Sequence, residues 1–179
     1  MNTRPDISFT VNALGVKSSN PTFKSSNPTF EDYDMMIYCI LYLKKNRDIC
    51  IKYESNTLPR MREKFIVYGM SDASFGPPGD RKSITGYSIY VNGNLCSWGT
   101  KKQRYLTNSS MIAEIVALGE TTNRAMKLRD TILALDFTST KVTIFEEDNE
   151  LVIKYTYNHK ISSSRRSIDI CMKIIRDIC

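Results

Sequence analysis

The chain has 179 residues and a mass of 20.5 kDa, with 41% hydrophobic and 25% charged residues and a formal net charge of +6. That balance is close to an ordinary globular chain and argues against wholesale disorder. No run of about 18 apolar residues occurs, which rules out a membrane-spanning helix, and the basic balance permits a nucleic-acid partner without requiring one.

The opening Met1–Asp6 has no apolar stretch after Arg4, so it does not read as a secretory signal, and an intracellular chain is expected. A tandem repeat follows. Lys17–Phe23 reads KSSNPTF, and Lys24–Phe30 reads the same. Two copies are too few for a solenoid, so an inserted duplication is expected, with a turn at each Asn-Pro. Tyr33, Ile37, Ile40 and Leu41 fall at helical spacing, predicting a helix over residues 31–45 with those four on its packed face. Glu31 and Asp32 near its start, and Lys44 and Lys45 near its end, suit the helix dipole.

Residues 65–72 predict a buried strand with Asp72 near its end, followed by a turn over Gly76–Asp80. Residues 85–91 predict a second strand, with Tyr87, Ile89 and Val91 on one face. Asn92-Gly93-Asn94 is a hairpin turn, and residues 95–100 a third strand, giving an antiparallel meander. The Asn108-Ser109-Ser110 run offers helix caps. A long helix over 111–135 would put Ile112, Ile115, Leu118 and Met126 in the core. Residues 141–148 predict a fourth strand ending in acids, followed by helices over 149–157 and 166–178. The expected class is α/β, with helices around one mixed sheet.

The chemistry available is restricted by composition. Five cysteines, Cys39, Cys50, Cys96, Cys171 and Cys179, form no CxxC pair, which fits a reduced chain. His159 is the sole histidine, so zinc sites and histidine acid–base chemistry are disfavoured. Carboxylates remain. Asp72 ends the first strand, Glu114 sits early in the long helix, and Asp148 ends the fourth strand. If the fourth strand lies parallel to the first, both aspartates emerge at one sheet end, and a helix over the sheet brings Glu114 toward them. Clustered carboxylates are costly unless cations neutralise them. Mg²⁺ suits such hard oxygen ligands.

The segments SDASFGPPGDRKSITGYSIYVNGNLCSWGTKKQ and SSMIAEIVAL, with the later IFEEDNELVI and RRSIDICMKIIRD, resemble the RNase H domain of copia-type LTR retrotransposon polyproteins. Upstream, TRPDISFTVN and NPTFEDYDMMIYCILYLKKNRDICIKY resemble the end of the preceding reverse transcriptase region and its connection. The resemblance covers nearly the whole chain. It implies a reverse transcriptase and connection remnant over 1–64 and an RNase H-like domain over 65–179. It implies a nuclease ancestor that uses four carboxylates and two Mg²⁺ ions to cut the RNA strand of an RNA–DNA hybrid. By position, Asp72, Glu114 and Asp148 match three of those acids, as catalytic residues and metal ligands. Lys101, Lys102 and Gln103 match a family segment after the third strand. With Arg104 they form a basic patch whose expected role is to contact the nucleic-acid backbone.

The sequence also departs from the family. The family's fourth acid follows a fifth strand, which the resemblance places beyond Cys179, so the last strand and helix of the fold are expected to be missing and the fourth strand left as an open edge. Asp169 matches a helix residue rather than that acid. Ser74-Phe75 stands where an acid-aromatic pair is common, and Ile112 stands where glutamate is frequent. Ser167 and Lys173 replace family histidines. The expectation is a truncated piece of a retrotransposon polyprotein, inactive alone. The alternatives are a ribonuclease completed by another chain and a hybrid-binding module without chemistry. Other polyprotein components are possible partners, and no membrane is implied.

Overall fold

A computed structural model describes residues 3–18, 29–54, 64–76, 82–104, 106–137, 143–144 and 150–157. The chain divides into two compact units, Met1–Lys52 and Tyr53–Cys179. The expected division at 64/65 lies twelve residues further on. Tyr53 and Glu54 go with the second unit, where the Glu54 amide donates to Asn94 Oδ1 at 2.8 Å.

In the first unit, Pro5 opens a 3-10 turn, Pro5–Ile7, that runs into helix α1, Ser8–Ser18. Proline suits this first-turn position because its missing N–H would have no helical partner there. Helix α2 spans Phe30–Lys45. Its start is a capping box. The Asp32 amide donates to Thr29 Oγ1 at 3.3 Å, and the Thr29 amide donates to Asp32 Oδ2 at 2.8 Å. The second copy of the repeat therefore supplies both the cap, Thr29, and the first helical residue, Phe30. Both Asn-Pro turns fall outside the described residues. Thr29→Ala should weaken α2 by about 1 kcal/mol. Amide exchange over α2 should rise while exchange in the sheet unit stays unchanged.

The face expected to pack is not buried. Tyr33, Ile40 and Leu41 are each more than half exposed, and Asp32 is the buried residue of α2. Arg4 ties the unit's start to the far end of that helix. Its guanidinium donates to both Asp6 carboxylate oxygens, at 3.0 and 2.8 Å, and to the Asn46 carbonyl at 3.0 Å. The hydrogen bond from Arg4 lowers the Asp6 pKa to about 2. The sign follows from linkage: the folded pKa lies below the unfolded one. This contribution is therefore complete above the ordinary value of 3.8 and is lost as pH falls through about 2. The pair is solvent-accessible, so the effect is modest. Following the Asp6 carboxyl by NMR from pH 5 downward should give a midpoint near 2. Arg4→Gln should move that midpoint up.

The second unit is built on a four-stranded sheet in the order β3-β2-β1-β4. Strands β1 (Val67–Ser74), β2 (Ile84–Val91) and β3 (Asn94–Lys102) form the antiparallel meander. Strand β4, Thr143–Ile144, pairs parallel to β1 through Tyr68–Thr143 and Gly69–Ile144. The β2–β3 turn is Asn92-Gly93, with φ of 48° and 80°. Both values lie in the left-handed region that a two-residue hairpin requires and that asparagine and glycine tolerate. Helix α3 spans Ser110–Ala134, and the Ser109 hydroxyl caps it by accepting from the Ile112 amide at 3.2 Å. Helix α4, Glu150–Tyr157, packs on α3. The helix expected over 166–178 lies outside the described residues.

Along β1, burial alternates. Val67, Gly69, Ser71 and Ala73 are enclosed, and Asp72 and Ser74 are exposed. The enclosed set faces α3, as the two-residue period of a strand requires. Val67 and Ile89 pack with Ala125 and Ile132 of α3. At the other end, Ala73 packs with Ala113 and Ala117. Helix α3 therefore runs antiparallel to β1, and small residues let it approach the sheet closely at the end that carries Asp72. Ile115 and Leu118 are core residues as expected, whereas Ile112 and Met126 are half-buried.

Candidate functional site

The C-terminal end of β1, the ends of β2 and β3, and the first turns of α3 meet on one side of the sheet unit. Across the strands, Ala73 lies beside Thr85, which lies beside Lys101. Gln103 follows β3 directly. Its backbone N–H donates to the Ser83 carbonyl at 2.8 Å. Its side-chain Nε2 donates to Thr85 Oγ1 at 3.0 Å and to the Ala113 carbonyl at 2.9 Å. One buried amide thus joins β2, β3 and the residue just before Glu114. Ser83, fully buried, does a similar job for the loops. Its hydroxyl accepts from the Gly76 amide at 3.2 Å and bonds Thr107 Oγ1 at 2.9 Å.

The expected basic patch is divided by this arrangement. Gln103 is turned inward, and both its N–H donors are committed to the protein, so it cannot serve as a surface contact. Lys101 Nζ is 3.1 Å from Glu120 Oε1. Arg124 also binds Glu120, at 2.9 Å, lies 4.4 Å from the Tyr87 ring centroid, and donates to the Tyr87 hydroxyl at 3.1 Å. Burial alone would raise the Glu120 pKa, but hydrogen bonds from Lys101 and Arg124 outweigh it and hold the carboxyl below its usual range. Arg104 is exposed and Lys102 half-buried. Lys101–Arg104, Thr85, Val116 and Glu120 line a small cavity of about 90 Å³.

The carboxylates are placed as follows. Asp72 is exposed on the strand face away from α3. Glu114 is buried, at 7% exposure, on the second turn of α3. Ala73 against Ala113 and Ala117 brings their backbones onto touching elements. Asp148 lies outside the described residues. Among the described residues, no three His, Cys, Asp or Glu side chains form a metal-holding group. Asp72 and Glu114 are hard oxygen donors of the type Mg²⁺ prefers, with Asp72 on the strand face away from α3. Glu120, Arg124 and Tyr87 were not foreseen. The four-residue spacing of Glu120 and Arg124 was the available signal, since it puts the two on one helix face.

No helix among the described residues is long and apolar enough to cross a membrane. No family model matches the chain, and no solved structure matches it. Curated proteins do. It is 26% identical over 177 residues to the retrovirus-related Pol polyprotein from transposon TNT 1-94 of Nicotiana tabacum, covering 98% of this chain and 12% of that protein. It is 28% identical over 178 residues to the Pol polyprotein from transposon RE1 of Arabidopsis thaliana, covering 98% of this chain and 11% of that protein. It is also 30% identical over 127 residues to the secreted RxLR effector protein 161 of Plasmopara viticola, covering 70% of this chain and 80% of that protein. The chain thus spans about a tenth of the transposon polyproteins that it matches over nearly its full length. Over nearly its whole length the chain is therefore similar to retrovirus-related Pol polyproteins of plant transposons.

Proposed function

We propose that the second unit is a ribonuclease H-like domain that engages an RNA–DNA hybrid and does not cleave it on its own. The carrying observation is the sheet order β3-β2-β1-β4 with β4 parallel to β1, and an antiparallel α3 that sets the turn bearing Glu114 against the end of β1 bearing Asp72. In this reading Asp72, Glu114 and Asp148 would hold Mg²⁺, whose chemistry when bound is activation of water and stabilisation of the leaving oxygen. Gln103 keeps the Glu114 turn seated on the sheet. Arg104 and Lys102 contact the phosphate backbone, which positions the hybrid without reading its sequence.

The non-cleaving reading rests on residues inside the domain: Ser74 and Ile112 stand where the family resemblance calls for acids beside the proposed metal ligands. The test is incubation of the purified chain with a labelled RNA–DNA hybrid and Mg²⁺ or Mn²⁺. The expected result is an intact RNA strand. Cleavage that Asp148→Asn abolishes would overturn the non-cleaving reading and favour a working nuclease.

Binding has its own test. Lysine and arginine contacts release counterions from nucleic acid, so affinity should fall as salt rises. Lys102→Ala with Arg104→Ala should lower the slope of log affinity against log salt by about 2. Lys101→Ala should change it less, because its ammonium faces Glu120. An unchanged slope in the double variant would remove this patch from the interface.

A further inference from the structure

The first unit carries a groove that the proposed chemistry does not use. It lies between the start of α1 and one side of α2 and has a volume of about 590 Å³. On α2 it is lined by Glu31, Asp34, Met35, Tyr38, Cys39 and Tyr42. Their spacing of three and four residues makes one continuous stripe. From 31 to 42 the stripe runs about 16 Å at 1.5 Å per residue, the length of an eleven-residue helix. Ile7 and Thr10 form the opposite wall beside Asp6.

The stripe is graded along its length. Its apolar part has exposed side chains, Tyr38 at 72% and Tyr42 at 39% among them. Its other end carries Glu31 and Asp34. Asp6 is already matched by Arg4, whereas among the described residues Glu31 and Asp34 join no side-chain ion pair and face only the start of the α2 dipole. A negative groove on a chain of net charge +6 repels phosphate, so this surface is not a second nucleic-acid contact. Apolar length with acidic charge at one end complements an amphipathic helix that carries lysine or arginine beside its apolar face.

We infer that this groove docks a basic amphipathic helix of a protein partner. The helix lies along α2, its apolar face on Met35, Tyr38 and Tyr42 and its cationic residues near Glu31 and Asp34.

The experiment uses the full chain and two labelled fourteen-residue helical peptides with the same leucine face, one carrying lysines and one carrying glutamates. Fluorescence anisotropy at low salt should show the lysine peptide binding at least about tenfold tighter. Glu31→Lys with Asp34→Lys should erase or reverse that preference, with circular dichroism checking that α2 persists. Tyr38→Lys, at an exposed position, should weaken the lysine peptide about tenfold without a folding cost. Amide exchange should protect residues 31–42 when the peptide binds. Equal affinity for both peptides, protection confined to the sheet unit, or no binding would each overturn the proposal. So would sedimentation showing that a second copy of the chain, blocked by Tyr38→Lys, occupies the groove instead.

Discussion

Gln103→Leu is expected to destabilise the sheet unit by about 2–4 kcal/mol, although leucine nearly fills the same volume. The amide at this position is 5% exposed and makes two donor bonds, to Thr85 Oγ1 and to the Ala113 carbonyl. Leucine removes both donors and leaves a buried hydroxyl, Thr85 at 3% exposure, with one partner fewer. Removing one side of a buried hydrogen bond costs more than the bond itself contributed, because the remaining group stays out of water. Urea unfolding should show a lower midpoint with an unchanged slope. Lys102→Ala, one residue earlier, should stay within about 0.5 kcal/mol of the parent. If Gln103→Leu is as mild as Lys102→Ala, the amide is no clamp, and the placement of the Glu114 turn needs another explanation.

Gly99→Ala is expected to cost about 1–3 kcal/mol, a large effect for one methyl group. A Cβ at residue 99 would stand 2.9 Å from the Tyr87 hydroxyl and 3.1 and 3.2 Å from two ring carbons. Tyr87 is Gly99's cross-strand neighbour, so the clash is built into the register. The ring cannot step aside freely, because Arg124 stacks on it and bonds its hydroxyl. Moving it would disturb the Arg124–Glu120–Lys101 chain as well. A double-mutant cycle separates the parts. Tyr87→Leu should relieve most of the Gly99→Ala cost, giving a coupling above about 0.5 kcal/mol. Strict additivity would show that the strand backbone, not the ring, sets the penalty.

The meander and the long helix were legible because their signals are local. Alternation in residues 85–91, the Asn-Gly turn and the Ser109 cap each act within a few residues, and the observed ends differ from the expected ones by one or two. The parallel seating of β4 beside β1 entered as a condition for bringing the carboxylates together, and the pairing of Tyr68 with Thr143 meets it. Helix α1 was not foreseen, since its apolar residues Phe9, Val11, Ala13, Leu14 and Val16 are spread around the helix and do not form a single stripe. The packed face expected for α2 was misplaced for a related reason. Its apolar residues lie on several sides, so periodicity alone could not choose which side is covered. In the site, residue type misled. A glutamine between lysines and an arginine reads as polar surface, yet it ends a strand, where an amide can satisfy buried groups eighteen and ten residues away in sequence. Only pairing across strands reveals that. Lys101 is likewise expected at the phosphate backbone from the family match, and its partner Glu120, nineteen residues away, is invisible to local reading.

The capping box of α2 draws its threonine from the end of the seven-residue duplication, and this gives that segment an unusual tolerance. Deleting Lys17–Phe23 or Lys24–Phe30 yields the same shortened chain, still ending in Thr-Phe before Glu31. A third copy would do the same. The helix always meets an identical threonine at its entrance, so the spacer between α1 and α2 can lengthen or shorten in steps of seven without changing the cap. Changes of the repeat number therefore leave the residues at the start of α2 unchanged.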